Sequence, residues 1–194
     1  MCSSDLQYDS GDWDQDFGIA ADINMLIQYS TRMSEKRVAK RTESIRVSQL
    51  KSLKPHQLPP FLYLTGQKKL RFSSSEIRIL RKFMVDGHCL LFVDNGGSRE
   101  FHNEFMSLMR QVLTNVRPTP VPLGDMILRV PYQIPVLPYV APHGGKEALG
   151  WRVDGRLVCY YHPGDIGDAW ADDHAGVKPE VWEACYQLGV NVMF

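Results

Sequence analysis

The spacing of apolar residues changes period several times along this chain, most legibly over residues 61–112. Phe61-Leu62-Tyr63-Leu64 is a short apolar run that stops at Thr65-Gly66. Ile77, Leu80 and Met84 then recur at helical spacing, with Ile79 and Phe83 beside them. Ser73 and Glu76 have capping-box spacing, and Phe72 and Ile77 stand where a hydrophobic staple brackets such a cap. Asp86-Gly87 stops this helix. Cys89-Leu90-Leu91-Phe92-Val93 contains no polar residue, as a strand buried on both faces requires. Asp94-Asn95-Gly96-Gly97-Ser98 turns into a second helix whose apolar face is Phe101, Phe105, Leu108 and Val112. This is a β-α-β-α unit of a parallel sheet, and such sheets carry ligands at the carboxyl ends of their strands.

The flanking sequence extends the pattern. A first short strand is predicted over Leu6 to Tyr8, and Ile23, Leu26, Ile27 and Met33 give the following segment a helical stripe. Ile45 and Val47 alternate with polar residues, as on an edge strand. Pro55, Pro59 and Pro60 make residues 51–60 a loop, and seven prolines make residues 117–145 a long excursion that covers one end of the sheet. Asp154-Gly155 between two apolar runs is a hairpin signal. Pro179 opens a last helix with Val181, Ala184, Cys185 and Leu188 on one face; Gly189 is read as its end and residues 190–194 as a final strand. The expectation is one three-layer α/β domain over residues 1–194, with a mainly parallel sheet, helices on both faces and a β-hairpin near the C-terminal end.

Charge adds a constraint on partners. Lys plus Arg and Asp plus Glu each number 22, so nothing overall favours nucleic acid or an anionic membrane. The balance is uneven: Asp5, Asp9, Asp12, Asp14, Asp16 and Asp22 precede a basic stretch from Arg32 to Arg46. Cys2, Cys89, Cys159 and Cys185 show no CxxC spacing, and the last three read as small core residues. No apolar run is long enough to span a bilayer. The abrupt ends predict a soluble domain cut from a longer protein; cytoplasm and periplasm both remain open.

Several groups carry candidate chemistry. Asp12-Trp13-Asp14-Gln15-Asp16 places carboxylates at alternate positions, but Phe17 and Ile23 stand where a calcium loop needs glycine and glutamate. These aspartates are read instead as a strand-to-helix loop facing water and a helix amino end. Gly96-Gly97-Ser98 lacks the Lys of a P-loop, and Glu100 occupies the second glycine of a nucleophile elbow. Ser98 is therefore either a helix N-cap or a nucleophile, with His162 as base and Asp165 as its orienter. Asp94, His162 and Asp165 could alternatively hold a metal, and Trp13 and Trp170 could wall a pocket or lid the core.

Taken in order, Gly11-Asp12-Trp13, Phe61-Leu62-Tyr63-Leu64-Thr65-Gly66, Leu70-Arg71-Phe72-Ser73, Leu91-Phe92-Val93-Asp94 with Gly97-Ser98, Asp165-Ile166-Gly167 and Leu188-Gly189-Val190-Asn191 resemble the bacterial domain of unknown function 4159 family over nearly the whole chain. The resemblance implies a class I glutamine amidotransferase-like, flavodoxin-like architecture, and some relatives are joined to membrane-anchored segments. Amidotransferases of that architecture carry a Cys at a G-x-C-x-G elbow. No Cys follows Val93 here, so glutamine hydrolysis is not expected, and what carries over is location: Asp94 and Ser98 stand where the elbow would be. The reading is a domain that binds a small ligand or a protein partner, with no cofactor. The binding residues are predicted to be Asp12, Trp13, Asp14, Gly66, Asp94, Asn95, Gly97, Ser98, His162, Asp165 and Trp170.

Overall fold

The computed structural model describes residues 4–7, 21–39, 43–141 and 145–194. In chain order the elements are β1 (Ser4–Gln7), α1 (Ala21–Met33), β2 (Glu43–Arg46), α2 (Val47–Leu50), β3 (Phe61–Gly66), α3 (Ser74–Val85), β4 (Leu90–Asn95), α4 (Arg99–Val112), β5 (Thr119–Pro120), β6 (Leu149–Val153), β7 (Arg156–His162) and α5 (Pro179–Met193). The sheet order is β2-β1-β3-β4-β7-β6-β5. Strands β2, β1, β3, β4 and β7 run parallel; β6 and β5 continue the sheet antiparallel.

Side-chain alternation explains why helices cover both faces. On β3, Leu62 and Leu64 join α3 and α4 through Leu80, Phe83, Phe101, Phe105 and Leu108, together with Leu91, Val93, Cys159 and Tyr161. Phe61 and Tyr63 point the other way, with Phe92 and Tyr160, onto Met25 and Tyr29 of α1 and Tyr186 and Leu188 of α5. β4 has parallel neighbours on both sides, and Leu91 and Val93 are fully buried.

Local signals explain the element ends. Ser73 caps α3 with the expected reciprocal bonds: its N–H donates to Glu76 at 2.8 Å and its hydroxyl accepts from the Glu76 N–H at 3.3 Å. Phe72 and Ile77 both pack at the rim of the core. After α3 the left-handed position falls on His88, with φ 54°, one residue beyond Gly87. The hairpin turn has positive φ at both Asp154 and Gly155, the geometry that matches strand twist.

Four expectations are corrected. Residues 190–193 are not a strand: α5 runs through Gly189 to Met193, and Leu188 to Met193 are all buried. An alternation this short does not separate strand from buried helix. Gly189 is required by packing, since a Cβ there would lie 2.7 Å from Met25 Sδ and 2.9 Å from Trp170 Cζ2. On α1 the buried face is Met25, Leu26 and Tyr29, leaving Ile27 at 56% exposure. Val47 opens the short α2 instead of continuing β2, and Cys89 lies one residue before β4.

Candidate functional site

Asp94 is the next-to-last residue of β4 and is completely buried on the α1/α5 side of the sheet. Its Oδ2 accepts the Gly167 N–H at 2.7 Å and the Tyr63 hydroxyl at 3.2 Å. Gly167 reaches it because it has no side chain: a Cβ there would sit 2.5 Å from the Tyr63 hydroxyl. Oδ1 is buried without a hydrogen-bond partner among the described residues. Burial pushes the Asp94 carboxyl up to about 7, against the opposing pull of the Gly167 and Ile166 amides and Tyr63, with Asp168 adding repulsion. Asp165 lies in the loop after β7 in a left-handed conformation, φ 54°, and is 6% exposed. Burial raises its carboxyl to about 9, helped by the charges of Asp94 and Asp168. Asp168 is itself raised, by burial and then by Asp173. The carboxyl ends of β4 and β7 thus hold two buried acids, Asp94 and Asp165, with the half-buried Asp168 beside them, all three shifted toward their neutral forms.

His162, the register partner of Asp94 on β7, makes no ion pair with these acids. Its Nε2 lies 2.8 Å from the Pro138 carbonyl, which can only accept, so Nε2 carries the proton. Nδ1 then accepts from the Tyr160 hydroxyl at 3.2 Å. Burial lowers the imidazole to about 4, despite the favourable Pro138 carbonyl. His162 is a neutral ring with both nitrogens engaged, pinning the proline-rich excursion to β7; the Val140 N–H does the same through the Gly164 carbonyl at 2.8 Å.

Asn95 faces the opposite side of the sheet and organises the loop into α4. Its Oδ1 accepts the Gly97 and Ser98 N–H groups at 3.1 and 2.8 Å, and its Nδ2 donates to the Ser98 carbonyl at 2.8 Å and the Tyr161 hydroxyl at 3.0 Å. Tyr161 then donates its single hydroxyl proton to His102 Nδ1 at 2.8 Å. Ser98 is the N-cap of α4, accepting from the Glu100 and Phe101 amides at 3.0 and 3.2 Å. Four backbone donors that could help cradle an anion, those of Gly97, Ser98, Glu100 and Phe101, are therefore occupied by the protein's own Asn95 and Ser98. Gly66 meets this loop through its carbonyl, which accepts the Gly96 N–H at 3.1 Å.

Of the predicted residues, Gly66, Asp94, Asn95, Gly97, Ser98, His162 and Asp165 all lie at or just beyond the carboxyl ends of β3, β4 and β7. The sheet separates them into two groups, with Asp94, His162 and Asp165 apart from Asn95 and Ser98. No hydrogen bond joins Ser98 to His162 or His162 to Asp165 among the described residues. No three His, Cys, Asp or Glu side chains among them gather as metal ligands. Trp170 is 3% exposed; its ring packs 5.6 Å from that of Tyr63 and its indole N–H donates to the Cys185 carbonyl. With Tyr63, Phe92 and Met25 it borders a cavity of about 10 Å³, room for about one water. Asp12, Trp13 and Asp14 lie outside the described residues.

Sequence reasoning passed over Tyr63, Tyr161 and His102. Tyr63 was visible as the polar-tipped member of an apolar strand, and His102 as the residue one helical turn after Ser98. An open groove of about 620 Å³ also lies at the opposite, amino end of the sheet, bordered by Tyr29, Met33, Glu35, Arg37, Pro60 and Phe194. No described helix is long and apolar enough to cross a membrane.

Cys89 stands at the amino end of β4, away from the acids, with its thiol directed to the Gly87 carbonyl at 3.2 Å. No curated protein matches the chain. The profile of the family described as Domain of unknown function (DUF4159) matches residues 4–194, the span that contains the acidic cluster, the Asn95 loop and every described element, and the chain belongs to that family.

Proposed function

We propose that this chain is a binding domain of glutamine amidotransferase-like, flavodoxin-like type that takes a small ligand, or a side chain of a protein partner, over the carboxyl ends of β3, β4 and β7. The observation that carries this reading is Asp94: a wholly buried carboxyl at the end of a central parallel strand, with one oxygen left unbonded among the described residues. Burying a polar atom without a partner costs roughly 1–3 kcal/mol, a cost that a ligand donor offsets. The strand order supports the same end of the sheet. Its parallel part, β2-β1-β3-β4-β7, follows the 2-1-3-4-5 order of flavodoxin-like sheets, whose ligands sit at the switch point between the first and third strands.

Binding fits better than hydrolysis. Ser98 caps a helix, His162 has both ring nitrogens engaged, and no described cysteine lies at the carboxyl end of β4. The test is a fragment screen read by amide chemical shifts. Fragments are expected to move the Gly66, Gly167 and Trp170 amides together. Hits confined to the groove around Tyr29 and Phe194, or no response at Gly167 to any fragment, would overturn the reading.

A further inference from the structure

We propose that the group recognised here is a small organic cation, an amidinium or alkylammonium, seated against the carboxyls of Asp94 and Asp165. This rests on the binding reading above and names the ligand's chemistry. Asp94 and Asp165 are 0% and 6% exposed, and Asp94 Oδ1 has no partner among the described residues. No described Lys or Arg pairs with Asp94, Asp165 or Asp168; the described ion pairs are Arg32–Glu183, Arg37–Glu35, Lys69–Glu100 and Arg152–Asp125. The adjacent His162 is held neutral by Tyr160 and Pro138. No described Lys or Arg therefore compensates these carboxyls once they ionise.

The same geometry selects among cations. A hard divalent ion needs several oxygens converging at about 2.0–2.6 Å, and no such group exists among the described residues. One free carboxylate oxygen beside a second carboxyl suits directional N–H donors. Anions are disfavoured nearby because Asn95 and Ser98 already take up the Gly97, Ser98, Glu100 and Phe101 amides at the start of α4.

Binding should release a proton, because burial favours neutral carboxyls and a bound cation favours ionised ones. The other titratable groups facing the pair are Tyr63 from β3, Tyr160 and His162 from β7, Asp168 from the following loop, Asp22 from α1 and Cys185 from α5. Burial keeps the Tyr63, Tyr160 and Cys185 protons in place well above neutrality, so Asp94 and Asp165 supply the proton.

Acetamidinium and acetamide, equal in shape and different in charge, provide the test on the whole chain. Acetamidinium is expected to shift the Gly167 amide saturably, with affinity at least about tenfold higher near pH 9 than near pH 6. Acetamide should fail to do so, and Asp94→Asn or Asp165→Asn should abolish the response. The wild-type comparison of probes and pH stands even where a variant does not fold. Equal response to acetamide, an affinity independent of pH, or a response to calcium or magnesium chloride in place of acetamidinium would overturn the cation assignment while leaving the binding reading intact. Silence of the Gly167 amide toward the whole fragment set would instead remove the binding reading itself.

Discussion

Asp94 and His162 are register partners at the ends of two adjacent parallel strands, and neither neutralises the other. The acid is raised by burial and the imidazole is lowered by burial, so the ordinary ion pair between these residue types is replaced by two neutral groups. The imidazole finds its partners in Tyr160 and Pro138, the acid in Tyr63 and Gly167.

That arrangement fixes a pH dependence of stability. Asp94 and Asp165 titrate higher in the folded chain than in the unfolded one, at about 7 and about 9. The folded state then holds more protons, so their stabilising contribution is complete below the ordinary carboxylate range and is lost as pH rises through these values. Glu183, lowered by its bond to Arg32, works in the opposite sense, and only in more acidic solution. The melting temperature should fall from about pH 5 to about pH 9, and Asp165→Asn should flatten the decline, gaining at least about 1 kcal/mol at the alkaline end. Parallel profiles for the two proteins would contradict this.

Gly189→Ala should destabilise, against helix propensity. Alanine is worth about 1 kcal/mol over glycine inside a helix, but its methyl would meet Met25 and the Trp170 ring inside van der Waals distance. Overpacking of this kind costs roughly 1–3 kcal/mol, so a net loss is expected in urea denaturation. A higher midpoint would show that α1 shifts freely.

Asn191 ties α5 to the proline-rich excursion through paired bonds, accepting the Tyr132 N–H at 2.9 Å and donating to the Tyr132 carbonyl at 2.7 Å. Asn191→Asp keeps the shape and removes the donor at a site 4% exposed. The expected loss is roughly 2–3 kcal/mol at neutral pH, partly recovered in acid as the carboxyl regains a proton. An unchanged melting curve would mean the excursion is held elsewhere.

The chain should neither react with a fluorophosphonate at Ser98 nor release ammonia from glutamine. Ser98 is committed to capping α4, and Cys89 lies at the wrong end of β4. Mass spectrometry of the probe-treated protein and an ammonia assay check the two points. Ser98 labelling lost in His162→Ala, or turnover lost in Cys89→Ser, would restore a catalytic reading.

The sequence made local structure legible where one signal outweighed its competitors. The box at Ser73 and Glu76, the turn at Asp154-Gly155 and the apolar β4 needed only neighbouring residues to decide them. It failed at Val190 to Met193, where a short Val-Asn-Val alternation suits a strand as well as a helix buried all round. The proposed place of the site rests on sheet topology alone, whereas the environment of its residues needs the fold. Asp94 is an ordinary carboxylate until Gly167 and Asp165, far along the chain, close over it. His162 reads as a base until the carbonyl of Pro138 occupies its Nε2.

The β4–β7 pairing has a consequence for the order in which the molecule is built. β3 meets β4 across a single helix, Leu62 opposite Leu91, whereas β4 meets β7 only after the chain has passed through α4, the excursion and the hairpin, Leu91 opposite Cys159. Closing the longer loop is entropically more demanding, so long-range parallel pairing should come late. Pulse-labelled hydrogen exchange should find the Leu62 and Leu91 amides protected before those of Tyr160 and Gly167; simultaneous protection would argue for a single concerted step. On the expected order, a nascent chain emerging from the ribosome, or one clipped before residue 167, keeps its first sheet pairs yet offers Asp94 no amide. Occupancy of the acidic end would then be a marker of completed synthesis and folding.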